Sequence, residues 1–151
     1  MGYNDTRMVA VNHIANVLGG QPILGRRLGS LRALDNAVAE GLPKAALRQT
    51  ARRIFSSKIE QKQLMNRIVP EATFKRRRDR LSAAESERTE RIARVVADAE
   101  YVWVDRDDAR RFLTSSHPAL GGKTPIEAAM TELGARQVEE ILAKIFHGLP
   151  A

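Results

Sequence analysis

The chain has 151 residues, a net charge of +7 and no cysteine, which excludes disulfides and thiolate metal sites. Hydrophobic residues make up 43% of it and aromatic residues only 5%, which favours an aliphatic interior of packed helices in one domain or two small ones. No apolar run approaches the roughly 20 residues of a membrane span, and no signal-peptide pattern opens the chain. We therefore expect a soluble, cytoplasmic protein without membrane contact.

The positive charge is concentrated in one segment. Residues 44–94 hold 15 Lys and Arg against 6 Asp and Glu, whereas the balance is +1 over residues 1–43 and −3 over residues 95–151. A basic stretch of this kind is typical of a nucleic-acid footprint. A solvated helical surface without a partner is the alternative, and charge alone leaves both open.

The first 30 residues predict an irregular arm, with at most one short helix near residues 7–17. Glycine and proline punctuate this stretch at Gly19, Gly20, Pro22, Gly25 and Gly29. Helical spacing of apolar residues begins at Leu31 and stops at Gly41. Further helices are predicted from Pro43 to the serines at 56 and 57, over residues 59–67, and over residues 70–80.

A second series of helices follows Leu81. Ser82 and Glu85 form a capping box that opens the longest helix, whose inward stripe is Ile92, Val95, Val96, Ala99 and Trp103. Asp105 caps the next helix, which Phe112 and Leu113 close, and residues 115–123 form a loop. No segment alternates with period two, so the predicted fold class is all-α.

Residues 44–80 have the proportions of a helix-turn-helix unit, in which the second short helix enters the major groove. Phe74 is expected to anchor that helix inward, Thr73 to donate to a base or phosphate, and Arg76 to contact guanine. Lys75, Arg77 and Arg78 are expected at phosphates. Further positive charge comes from Arg48, Arg52, Arg53, Lys58 and Lys62. An exposed basic helix without DNA is the competing interpretation.

The last 32 residues predict a partner-facing surface. Gly121 and Gly122 form a turn, and Thr124, Pro125 and Glu127 start a short helix that is expected to break at Gly134. A second helix, with one apolar face, is then expected to stop at Gly148. We expect Val138, Ile141 and Leu142 to complete the domain core. The residues expected to face a partner are Leu120, Gly121, Gly122, Ile145, Phe146, His147, Gly148, Leu149, Pro150 and Ala151.

No catalytic constellation is visible in the sequence. His13, His117 and His147 are far apart, and none has an acidic partner at ligand spacing. The stretch from Gly121 to Thr124 lacks the upstream glycine and the strand of a phosphate loop. We expect no enzymatic activity, no cofactor and no metal.

Three stretches carry a family resemblance: residues 82–94 (SAAESERTERIAR), residues 109–113 (ARRFL) and the segment from Leu120 onward. Together they resemble the Xre/MbcA/ParS antitoxins, the partners of RES-domain toxins, over roughly residues 31–151. Residues 72–77 (ATFKRR) are similar to the recognition-helix pattern of that family. The chain departs from it at Pro70, where a serine cap is usual, and at Phe112, which is often tryptophan.

The resemblance implies an all-α antitoxin with three parts. These are an N-terminal arm (residues 1–30), an Xre-like helix-turn-helix region that binds operator DNA (residues 31–81), and a toxin-binding domain (residues 82–151). It also implies a homodimer inside a larger complex, repression of its own operon, and a RES-domain toxin whose NAD-consuming cleft the carboxyl-terminal region obstructs. The alternative is a stand-alone helix-turn-helix regulator without a toxin partner.

Overall fold

The computed structural model describes residues 11–151, and within that range it contains helices and no strand. The predicted all-α class is confirmed. Residues 11–17 form helix α1, and a one-turn 3-10 helix lies between α8 and α9 at Pro118–Leu120. The other helices are α2 (Gly20–Leu24), α3 (Leu31–Glu40), α4 (Lys44–Ile54), α5 (Lys58–Ile68), α6 (Glu71–Arg76), α7 (Ala83–Trp103), α8 (Arg106–Thr114), α9 (Pro125–Ala128) and α10 (Glu132–Phe146).

The segment predicted as an irregular arm is only partly irregular: residues 11–17 form α1, in line with the short helix predicted near residues 7–17, and Gly20–Leu24 add the unpredicted α2, while residues 25–30 are irregular. Ile14, Val17 and Leu18 have helical spacing, and at most 3% of each residue's surface is exposed. Gly19 and Gly25 take positive φ values of 114° and 76°, so the glycines end helices here instead of preventing them. Residues 1–10, including the start of the helix predicted near residues 7–17, lie outside the described range.

Helix α7 is the centre of the fold, and α3, α4, α5, α8 and α10 all pack against it. Its predicted capping box is confirmed, because Ser82 Oγ accepts from the Glu85 amide at 3.1 Å while Glu85 Oε1 accepts from the Ser82 amide at 2.8 Å. The predicted inward stripe is buried through Ala99, and Trp103 at its end is half-buried.

Helix α6 is shorter than predicted, because it ends at Arg76 and does not continue to residue 80. Arg77 takes an extended conformation, with φ −64° and ψ 133°. The backbone that follows pairs with the segment before α4: Asp79 O accepts from the Lys44 amide at 2.9 Å, and Leu42 O accepts from the Leu81 amide at 2.8 Å. These tertiary hydrogen bonds replace the last helical turn.

The carboxyl-terminal helices start where predicted, with one exception. Asp105 caps α8, and the capping box of Thr124 and Glu127 opens α9. Gly134, however, does not break a helix. Thr131 caps α10 by accepting from the Gly134 amide at 3.0 Å, so the glycine lies inside the first turn of α10. A Cβ at residue 134 would collide with the carbonyl oxygen of Ala128. Only glycine fits here, because α10 packs closely on the end of α9.

Gly134→Ala tests this close approach. We expect it to lower the free energy of unfolding by about 1–3 kcal/mol, because the added methyl must push α9 and α10 apart. Urea denaturation followed by circular dichroism measures the change. Gly29→Ala is the matched control, since a Cβ there meets nothing within 4 Å and should leave stability unchanged or slightly raised. Equal stability of the two variants would contradict the packing explanation.

Candidate functional site

Helix α6, the predicted recognition helix, is held to α4 through Phe74. The ring is half-buried, with Lys44 Nζ 4.4 Å and the Arg48 guanidinium carbon 5.1 Å from its centroid. Lys44 Nζ also donates to the carbonyl oxygen of Arg77 at 3.0 Å, directly after α6. Two cations packed against one aromatic ring, together with this hydrogen bond, fix both the helix and its end. The structure therefore places Phe74 as the anchor that the sequence predicted.

Arg77 is engaged inside the chain. Its Nε and Nη2 donate to the two carboxylate oxygens of Glu85 at 3.1 and 3.0 Å, in a bidentate pair. Burial acts to raise the pKa of Glu85, but the hydrogen bonds from Arg77 and Ser82 outweigh it and hold that pKa below its usual value. Because Glu85 also belongs to the capping box of α7, Arg77 connects the end of α6 to the start of α7. We infer a positioning role for it rather than the predicted phosphate contact.

The remaining predicted DNA contacts form a basic face on α4 and α6. Arg48 and Arg52 lie one turn apart on α4 and are exposed, as are Lys75, Arg76 and Arg78. The stacking of Arg48 on Phe74 places the two helices side by side. Thr73 Oγ1 accepts from Arg76 Nη2 at 3.3 Å, so these two predicted base-reading side chains are adjacent. Lys58 and Lys62 are exposed on α5.

Arg53, expected as flanking positive charge, instead joins a buried polar cluster around Glu100. Its Nε donates to Glu100 Oε2 at 2.7 Å, and His13 Nε2 lies 2.8 Å from Glu100 Oε1. The sequence had given His13 no acidic partner, and the structure corrects this. Burial acts to raise the pKa of Glu100, but hydrogen bonds from His13 and Arg53 overcome it and lower that pKa to about 2. Arg110 of α8 donates to the Arg53 carbonyl at 2.9 Å, so the cluster ties α1, α4, α7 and α8 together.

The predicted partner-facing residues separate into an exposed group and a buried one. Phe146 is 52% exposed and Leu149 57% exposed, whereas Ile145 is half-buried. Leu120 is buried in the core at 6% exposure, which corrects its prediction as a partner-facing residue, and the 3-10 turn that contains it packs against α10. The exposed members are Gly121, Gly122, Phe146, His147, Gly148, Leu149, Pro150 and Ala151.

The end of α10 is a defined structure. Gly148, at φ 68°, donates to the Ile145 carbonyl at 3.0 Å, and Leu149 donates to the Lys144 carbonyl at 2.8 Å, which is a Schellman motif. The predicted stop at Gly148 is therefore confirmed. Phe146 stacks on Tyr101 of α7, with ring centroids 5.6 Å apart, and sequence reasoning missed Tyr101 because it lies 45 residues away. The carboxyl-terminal surface, defined as Tyr101, Phe146, His147 and Leu149, is thus apolar and fixed in place.

An acidic seam lies between α7 and α10. Burial, reinforced for Asp98 by Glu139, raises the pKa values of both Glu90 and Asp98 to about 7, and burial also raises that of Glu139. Arg94 faces all these carboxylates, with its guanidinium 3.4 Å from Glu139 and 4.0 Å from Glu90. Three carboxylates share Arg94, with Arg136 acting on Glu139 as well, so the positive charge does not overcome the effect of burial on their pKa values.

Over residues 11–151, no helix is long and apolar enough to cross a membrane. In the same part of the chain, His, Asp and Glu side chains are nowhere gathered in a group of three that could hold a metal ion.

Two family models match the chain in succession. The antitoxin Xre-like helix-turn-helix domain matches residues 33–94, and the antitoxin Xre/MbcA/ParS C-terminal toxin-binding domain matches residues 98–148. The chain belongs to the Xre/MbcA/ParS antitoxin family. Among curated proteins it is similar to the antitoxin Xre of Pseudomonas putida, with 36% identity over 86 residues, 55% of this chain and 54% of that protein. The aligned part therefore spans about half the length of the relative.

In this Xre/MbcA/ParS-type chain, both candidate surfaces fall within the corresponding matches. The basic face lies inside the helix-turn-helix match, and most of the carboxyl-terminal surface lies inside the toxin-binding match, with Leu149 directly after it. The two matches adjoin within α7, near residues 94–98, so this helix is shared between the domains. The boundary between residues 81 and 82 stays a prediction.

The acidic seam predicts a pH dependence of stability in this antitoxin. Folded-state pKa values of about 7 for Glu90 and Asp98 lie above the unfolded values of 4.5 and 3.8, so the folded chain binds more protons in between. The free energy of unfolding should therefore fall as pH rises from about 4 to 7. In Asp98→Asn, part of this fall should disappear. The stability of the variant relative to the wild type should therefore be about 1 kcal/mol higher at pH 8 than at pH 5.

Urea titrations of both proteins at pH 5 and pH 8 measure this effect. Asp107→Asn is the control, because Asp107 is exposed in the first turn of α8, away from the seam. A wild-type stability that is constant or rises over this interval, with no difference for Asp98→Asn, would show that these carboxylates are not protonated in the folded state.

Proposed function

We propose that this chain is the antitoxin of a type II toxin–antitoxin system, which neutralises a RES-domain toxin and represses its own operon. The toxin would be an NAD-consuming enzyme, and the antitoxin would block its active-site cleft without binding NAD itself. The observation that carries the proposal is that one chain has an exposed apolar surface in the toxin-binding match and a basic face in the helix-turn-helix match.

The toxin side rests on the geometry of the carboxyl-terminal surface. Phe146 and Leu149 expose large apolar area at the end of a helix, where a Schellman motif holds the backbone. Preorganised apolar anchors lose little conformational entropy on binding. A few such anchors suffice to occupy a cleft, since binding energy is concentrated in a small number of well-buried residues. Gly121 and Gly122 form a second exposed element of the proposed interface.

The DNA side rests on the basic face and on the fixed position of α6. Cations on α4 and α6 can reach phosphates while Thr73 and Arg76 meet base edges in the major groove. An operator of two half-sites requires a two-fold axis, so we propose that the antitoxin acts as a homodimer. A dimer carries two carboxyl-terminal surfaces and can therefore hold more than one toxin within a larger complex.

Removal of residues 148–151 tests the toxin side. We expect the truncated chain to lose neutralisation, because Leu149 and the Schellman motif disappear, while its DNA binding stays within about twofold of the full chain. Growth of cells that express the neighbouring gene together with either version measures neutralisation, and gel shifts on the upstream DNA measure binding. Full protection by the truncated chain would exclude the proposed plug. A full-length chain that neither protects nor binds the neighbouring product would favour a stand-alone regulator.

Arg76→Ala and Arg77→Ala test the DNA side as a matched pair. Arg76→Ala should weaken binding. Because the variant also removes one cation from the interface, the slope of log K against log salt should fall by up to about 0.9. Arg77→Ala should keep the wild-type slope but lower the ratio of specific to non-specific binding, because Arg77 positions α6 through Glu85. Fluorescence anisotropy with upstream and unrelated DNA between 50 and 200 mM salt separates the two effects. Unchanged binding by Arg76→Ala would remove α6 from the interface.

A further inference from the structure

Val104, between α7 and α8, has a backbone conformation that its side chain disfavours. Its φ is 66° and its ψ −48°, and the amide of Asp105 donates across it to the carbonyl of Trp103 at 2.7 Å. This is a classic γ-turn, which is rare and strained. A β-branched residue at positive φ is a conformational outlier, because its Cβ substituents crowd the neighbouring peptide groups.

Packing does not compensate for this strain. Val104 is 85% exposed, more than any other large hydrophobic residue in the described part of the chain. The turn itself is fixed by its neighbours, since the Val104 amide donates to the Glu100 carbonyl at 3.0 Å and Asp105 caps α8. A glycine would meet the needs of the turn at lower conformational cost. The valine side chain therefore contributes nothing to the fold that would explain it.

The position of Val104 suggests what its side chain does. Tyr101, three residues earlier at the end of α7, is 37% exposed and stacks on Phe146. Two contacts between α7 and α10 show that the helices run in the same direction. Arg91 lies 3.5 Å from Glu132 at the start of α10, and Tyr101, ten residues further along α7, stacks on Phe146 at the end of α10. Both helices thus end at one side of the molecule, and the exposed Val104 follows Tyr101 by three residues at that end of α7.

We propose that Val104 and Tyr101 form a second apolar anchor for the toxin, beside the carboxyl-terminal residues. This inference rests on the proposed function, because the partner is the same toxin protein. Two observations point to the toxin as the partner of these residues. Val104 and Tyr101 lie within the residues that match the toxin-binding domain, and Tyr101 stacks on Phe146 of the proposed interface. The toxin surface that receives them would be apolar, and contact with it would offset the backbone strain that Val104 carries in the free and the bound chain alike.

Val104→Gly and Val104→Asn test this anchor, since both residues tolerate positive φ better than valine. We expect the melting temperature of each free variant to equal or exceed that of the full-length wild type. Affinity for the purified product of the neighbouring gene should fall about tenfold, as for the loss of one buried valine side chain. Leu31→Ala is the matched control, because Leu31 is 63% exposed but lies outside both family matches.

The outcomes separate this inference from the proposed function. Binding that is weakened by Val104→Gly and Val104→Asn, but not by Leu31→Ala, supports the anchor. Wild-type affinity in both Val104 variants, together with lost binding after removal of residues 148–151, overturns the anchor and leaves the antitoxin proposal intact. No binding by the wild type overturns both. A change of oligomeric state of the free chain in light scattering, with toxin affinity retained, would assign Val104 to self-association and also overturn the anchor.

Discussion

The pairing of buried charges on α7 is the constraint on which the arrangement of the molecule depends. Glu85, Arg91 and Glu100 are each at most 8% exposed on a helix that is surrounded by others. A buried charge without a partner costs several kcal/mol, so each must find one. The partners come from different elements: Arg77 follows α6, the Met130 carbonyl that accepts from Arg91 at 2.7 Å precedes α10, and His13 comes from α1. Three neighbouring segments are thereby fixed against one helix.

This arrangement favours uniqueness of structure over maximal stability. Replacing a buried ion pair with apolar residues of similar size often leaves the stability of a protein unchanged or raises it. The chain therefore does not need these pairs in order to fold. They do fix the positions of the neighbouring segments along α7. Breaking the pair of Arg77 and Glu85 would free the end of α6, and breaking the cluster around Glu100 would release α1 and the end of α4 together. The orientation of α6 therefore depends on a directional bidentate pair and not on apolar contacts alone.

Local signals were predictable from the sequence, and contacts between distant residues were not. The caps at Ser82, Asp105 and Thr124 were predicted correctly, because a cap depends on residues two or three positions apart. Gly134 was misassigned since its reason is the nearby carbonyl of Ala128, which only the packed structure reveals. The same holds for His13 and Glu100, which lie 87 positions apart. The exposed apolar residues at the end of α10 were recognised, whereas the strain at Val104 has no signature in the sequence.

The length and direction of α7 keep the two candidate surfaces far apart. Arg77 anchors α6 at residue 85, near the start of the helix, and the carboxyl-terminal surface begins at Tyr101, near its end. Sixteen residues of α-helix separate these positions by about 24 Å. At physiological ionic strength, exposed charges further apart than about 8 Å are largely screened from one another, so the basic face does not repel or attract a partner at the far end. Under the proposed function, the toxin and the DNA duplex would therefore meet two electrostatically independent surfaces of the same chain.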